Sequence, residues 1–111
     1  MKRKSDLYLS DILEAIAKVK KYTQGMTASE FASNDLVLDA VLRNLEVIGE
    51  IAAQIPESYR EEHNLIPWRD IKNFRNVVIH KYHQVDIDTV WNIVQEELDI
   101  LQNQIKDVQN K

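Results

Sequence analysis

DLVLDAVLRNLEVIGEIAAQI, residues 35 to 55, sets Val37, Val41, Leu45, Ile48, Ala52 and Ile55 at steps of three and four residues. That spacing lays them along one stripe of a 3.6-residue helix, whereas a strand would alternate every second position. Asn34 or Asp35 is placed to cap the start, and Pro56 stops the helix at its far end. Gly49 lies beside the stripe, where a neighbouring helix can approach closely.

The same period extends in both directions. Leu9, Ile12, Leu13, Ile16 and Val19 form the stripe of a first helix from about Ser5, read as its N-cap, to about Tyr22, with Gly25 ending it. Thr27 to Glu30 has the form of a capping box, which predicts a short turn carrying Phe31. After Pro56, PESYREEHN reads as a short polar helix or turn. Pro67 opens a further helix on which Trp68, Ile71, Phe74, Arg75, Val78 and Tyr82 follow at helical spacing, with Val77 and Ile79 widening its buried side. Asp86 or Asp88 caps the last helix, whose stripe is Trp91, Val94, Leu98, Leu101, Ile105 and Val108, with a frayed tail. With no strand-like alternation, the expected architecture is all-α: an antiparallel bundle of four main helices plus a short fifth, in one domain over residues 1–111.

Composition narrows the function. The chain has 111 residues, 44% hydrophobic and 29% charged, and no apolar run approaches the roughly 18 to 20 residues of a membrane span. Asp6, Asp11 and Glu14 interrupt the segment after the basic N-terminus, so a secretory h-region is missing and a cytoplasmic location is expected. The absence of cysteine removes disulfides, thiolate catalysis and cysteine-ligated zinc. A net charge of −4 excludes a globally basic nucleic-acid-binding surface. Charge is unevenly placed, however. From Pro67 to Gln84, Arg69, Lys72, Arg75 and Lys81 face only Asp70, with His80 and His83 in addition, whereas the segment after Asp86 is mainly acidic.

Within RNVVIHKY, residues 75 to 82, Arg75 falls on an otherwise apolar stripe. Its guanidinium keeps its charge, so it either pairs with an acid such as Glu46 or Glu50, or lines a cleft as a planar fork of donors suited to phosphate. His80 lies about 140° further round an ideal helix, so the two converge only if the helix loosens or ends near His80. An imidazole there can exchange protons near neutral pH. His80, His83 and Asp86 form a possible metal set, loosely spaced and without a second cluster. No serine or cysteine triad and no glycine-rich phosphate loop is present.

Arg75, Asn76, His80 and Tyr82 together read R-x4-H-x-Y with a polar residue after the arginine, which resembles the signature of the HepT-like branch of the HEPN superfamily. The segments from Asp39 to Glu50, Pro67-Trp68, Val85-Asp86 and Val90-Trp91 resemble that family's flanking helices, so the likeness spans nearly the whole chain. It implies a toxin ribonuclease of a type VII toxin-antitoxin pair, needing no metal or other cofactor. Arg75 and His80 from both subunits of a homodimer would compose the active site, with Asn76 in support. The RNA's 2′-hydroxyl would attack the adjacent phosphate. The implied partners are RNA and a minimal nucleotidyltransferase (MntA-like) antitoxin, which would inactivate the toxin by transferring AMP to Tyr82, within a homodimer or a larger hetero-oligomer. The competing expectation is a non-catalytic helical module that binds a nucleotidyltransferase partner or a nucleotide.

Overall fold

The computed structural model describes residues 4–79 and 86–110. It is all-α: among the described residues there is no strand. The elements are α1 (Lys4–Thr23), α2 (Ala28–Ala32), α3 (Asp35–Gln54), α4 (Glu57–Glu62), α5 (Trp68–Ile79), α6 (Ile87–Asn92), a π-helical turn (Ile93–Glu97) and α7 (Leu98–Gln109). Helical backbone runs unbroken from α6 through the π turn into α7, making one long last helix. Four rods therefore carry the bundle, with two short pieces, α2 and α4, where one had been expected.

Several ends follow from local chemistry. The capping box before α2 is formed in full: Glu30 N–H donates to Thr27 Oγ1 (3.1 Å) and Thr27 N–H to Glu30 Oε1 (2.9 Å). Asn34 caps α3 by accepting from Val37 N–H at 3.0 Å, and Asp86 caps α6 by accepting from Thr89 N–H at 3.2 Å. Gly25 takes φ +77°, the left-handed conformation that lets the chain leave α1. Two expectations are corrected. Ser5 is not a cap, because α1 already includes Lys4 and Ser5 is buried within the helix. The tail is helical to Gln109, whose Nε2 donates to Ser10 Oγ at 3.1 Å, so packing against α1 holds the turn that fraying would release.

Polar contacts between the rods show that neighbours run antiparallel. Tyr8, early in α1, donates to Gln54 at the end of α3 (3.1 Å), while Lys20, late in α1, pairs with Asp99 at the start of α7 (2.6 Å). The predicted stripes form the core: Leu9, Ile12, Ile16, Val19, Val41, Leu45, Ile48, Ala52, Leu98 and Ile105 are excluded from solvent. Each fully buried leucine or isoleucine contributes about 1.5–3 kcal/mol relative to exposure, which is what holds helices of ordinary propensity together. Phe31 of α2 is buried against Trp91 of α6, with ring centroids 4.9 Å apart. No helix among the described residues is long and apolar enough to cross a membrane.

Candidate functional site

α5 carries the arginine of the motif, and two anchors position it. At its N-terminal end Trp68 Nε1 donates to the His63 carbonyl (3.0 Å), and Gln104 Nε2 on α7 donates to the Leu65 carbonyl (3.2 Å). These bonds hold the α4–α5 connection against the last helix. Ile71, Phe74 and Val78 are then buried, fixing the rotation of α5 about its axis.

That rotation leaves Arg75 half-buried against Gly49 of α3. A Cβ added at Gly49 would lie 2.5 Å from Arg75 Cγ, 3.2 Å from Cδ and 3.3 Å from the Arg75 backbone nitrogen. The absence of a side chain at residue 49 is thus what lets the arginine stem run across α3. Among the described residues neither Glu46 nor Glu50 pairs with it; Glu46 stands 3.9 Å from Arg43 instead. Arg75 Nε is buried with no hydrogen-bond partner. The structural ion pair, one of the two sequence readings of this arginine, is therefore not made among the described residues.

Arg75 instead lines an open cleft of about 590 Å³ together with Arg60, Arg69, Lys72, Asn73 and Asn76. Among the described residues four cations meet there and no carboxylate lines the cleft. Asn76 Nδ2 donates to Asn73 Oδ1 at 2.8 Å, joining the two amides across one turn of α5. Arg60 comes from α4, a helix of six residues held by Tyr59, which is buried and donates from its hydroxyl to Asp6 Oδ1 on α1 (3.2 Å). Like Arg75, Arg60 buries its Nε without a partner. A cationic cleft suits a polyanion, in which phosphate oxygens accept from guanidinium and amide groups and the surrounding field raises local anion concentration.

The structure brings Arg75 and Asn76 to one cleft. His80 and Tyr82, and with them His83 of the alternative metal set, lie outside the described residues; Asp86 is described, as the cap of α6. No cluster of three or more potential metal ligands occurs among the described residues. Arg60 and Asn73 were not singled out from sequence. Arg60 sits in a polar stretch with acids on both sides, and only the fold of residues 57–68 carries it to α5.

An all-α bundle whose motif helix lines a basic cleft is consistent with the HEPN-like fold anticipated from the motif. Within that class, the family model for ribonuclease HepT-like proteins matches residues 12–108, and the chain belongs to that family of ribonucleases. It is 35% identical over 106 residues to "Probable ribonuclease HepT" of Thermococcus cleftensis, covering 96% of each chain. It is also 35% identical over 105 residues to "Putative RNase MJ1380" of Methanocaldococcus jannaschii, covering 95% of this chain and 96% of that one. A third relative, "Gamma-glutamylcyclotransferase and putative RNase MJ0434" of the same organism, is 34% identical over 105 residues, of which this chain spans 47% of the relative's length. No solved structure gives a significant match. The reading as an enzyme of the ribonuclease class is thus borne out at the level of the family.

Proposed function

We propose that this chain is the toxin of a toxin-antitoxin pair, a cytoplasmic endoribonuclease that cleaves RNA without a metal at a site shared between two subunits. The observation that carries the reading is Arg75: half-buried, unpaired among the described residues, and set in a cleft lined by three further cations. The 2′-oxygen attacks the neighbouring phosphorus, forming the 2′-O–P bond as the P–O5′ bond breaks. The proton of the 2′-hydroxyl passes to a base and another is delivered to the departing 5′-oxygen. His80 is the proton-transfer residue, and a dimer supplies two copies, one to accept and one to donate. Arg75 offsets the charge that grows on the non-bridging oxygens, and Asn76 positions the phosphate as a neutral donor. Dimerisation joins two basic clefts on an otherwise acidic protein, which concentrates RNA where the reaction occurs.

Incubation of the purified protein with transfer RNA and messenger RNA in EDTA should release fragments ending in 2′,3′-cyclic phosphate and beginning with 5′-hydroxyl, read by mass spectrometry. Intact RNA under those conditions, or cleavage only after metal is added, would rule out this mechanism. The nucleotidyltransferase antitoxin acts at Tyr82, where a bulky anion would occupy the place of the substrate phosphate. With that partner and ATP, wild type should gain the mass of AMP and Tyr82→Phe should not; modification at another residue would end the tyrosine assignment.

A further inference from the structure

We propose that Arg60, with Arg69 and Lys72, forms a second phosphate subsite that holds the RNA backbone beside the phosphate bound at Arg75. The proposal rests on the ribonuclease reading and adds to it where the strand runs. Arg69, Lys72, Asn73 and Asn76 recur at three- and four-residue steps on α5, so they share a face that leads from Arg75 toward the start of the helix. Arg69 starts about 9 Å from Arg75 along the axis, which suits it to a neighbouring phosphate on an extended strand. Arg60 lines the same cleft from a different helix.

Two features mark Arg60 as more than a solvated surface cation. Its Nε is buried and without a hydrogen-bond partner, as is that of Arg75, and both residues line one cavity. Glu57 and Glu61 flank it in sequence, yet among the described residues no carboxylate pairs with it. A guanidinium that no carboxylate neutralises is available to a phosphate. Among the described residues the lining contains no aromatic side chain on which a base could stack. Its cations therefore grip the backbone, the contact that positions a strand.

The test uses the full chain and a fluorescently labelled 2′-O-methyl RNA oligonucleotide, which has no attacking hydroxyl and so reports binding alone. By anisotropy, Arg60→Gln should weaken Kd about tenfold and lower the slope of log affinity against log salt by about 0.7, the loss of one phosphate contact on a single strand. Arg60→Lys should restore the slope, and Arg69→Gln, at an exposed position, should lower it in the same way. On cleavable substrates, Arg60→Gln should lose more in KM on the oligonucleotide than on a dinucleoside monophosphate, which has no second phosphate. An unchanged slope in both glutamine variants overturns the subsite, as does an equal loss on the two substrates. If wild type binds the oligonucleotide but cleaves no RNA, the catalytic reading fails while the salt slopes still decide the subsite.

Discussion

Arg75→Ala should lower RNA cleavage in EDTA by at least about 10²-fold while the bundle stays folded. Removing one preorganised donor aimed at developing charge costs about 10²–10³ in rate, and a guanidinium in a cleft with no carboxylate among its described lining residues is such a donor. The fold should tolerate the loss. Arg75 is only half-buried and makes no ion pair or hydrogen bond among the described residues, so truncation leaves no partner stranded and forfeits only stem packing against Gly49. Arg75→Lys should recover part of the rate, since it keeps the charge but loses the planar fork. His80→Ala should lose about 10²–10⁴-fold, the usual contribution of a positioned proton-transfer group. Single-turnover rates beside far-ultraviolet circular dichroism check both. Equal cleavage by wild type and both variants would remove the site assignment, and activity regained only with added metal would point to His80, His83 and Asp86.

How far the sequence could lead to this site follows from which interactions are local. Caps, helix stops and buried stripes depend on residues three or four apart, so Thr27 with Glu30, Asn34 with Val37, and the α3 stripe could be read directly. Gly49 was legible as a place of close approach, but not that Arg75 would be what approaches, because that pairing depends on how α5 rotates on α3. Ser5 had the residue type of a cap and lacked the context, since burial beneath the bundle won over local preference. The π turn at Ile93–Glu97 gave no signal either: a fifth residue in a turn leaves the apolar spacing of Trp91, Val94, Leu98 and Leu101 within ordinary helical steps. Arg60 was the costliest omission. Its place in the cleft requires Tyr59 to anchor α4 on α1, together with Trp68 and Gln104 to turn the chain back.

Gly49→Ala should disable the site without replacing any residue that lines it. The new methyl would sit 2.5 Å from Arg75 Cγ, an atom near the root of the side chain, and 3.3 Å from the α5 backbone. A clash at Cγ is not relieved by bending the far end of the arginine. Either the stem swings to another rotamer or α5 moves away from α3, and both carry the guanidinium off its present position. A displacement near 1 Å costs about 10²-fold where geometry governs the rate, so kcat/KM should fall by about that factor although Arg75 is present. Stability should change less. Overpacking costs about 1–3 kcal/mol, and replacing glycine inside a helix returns up to about 1 kcal/mol, which leaves a modest net loss in urea unfolding. The double variant Gly49→Ala with Arg75→Ala makes the argument specific. Deleting Cγ removes the clash, so the pair should be more stable than Gly49→Ala alone, and the two changes should be non-additive by about 1 kcal/mol or more. If Gly49→Ala cleaves RNA as fast as wild type, the close packing of α3 on α5 does not hold the arginine in its working position. If the double variant is merely the sum of the singles, Arg75 is not what the methyl meets.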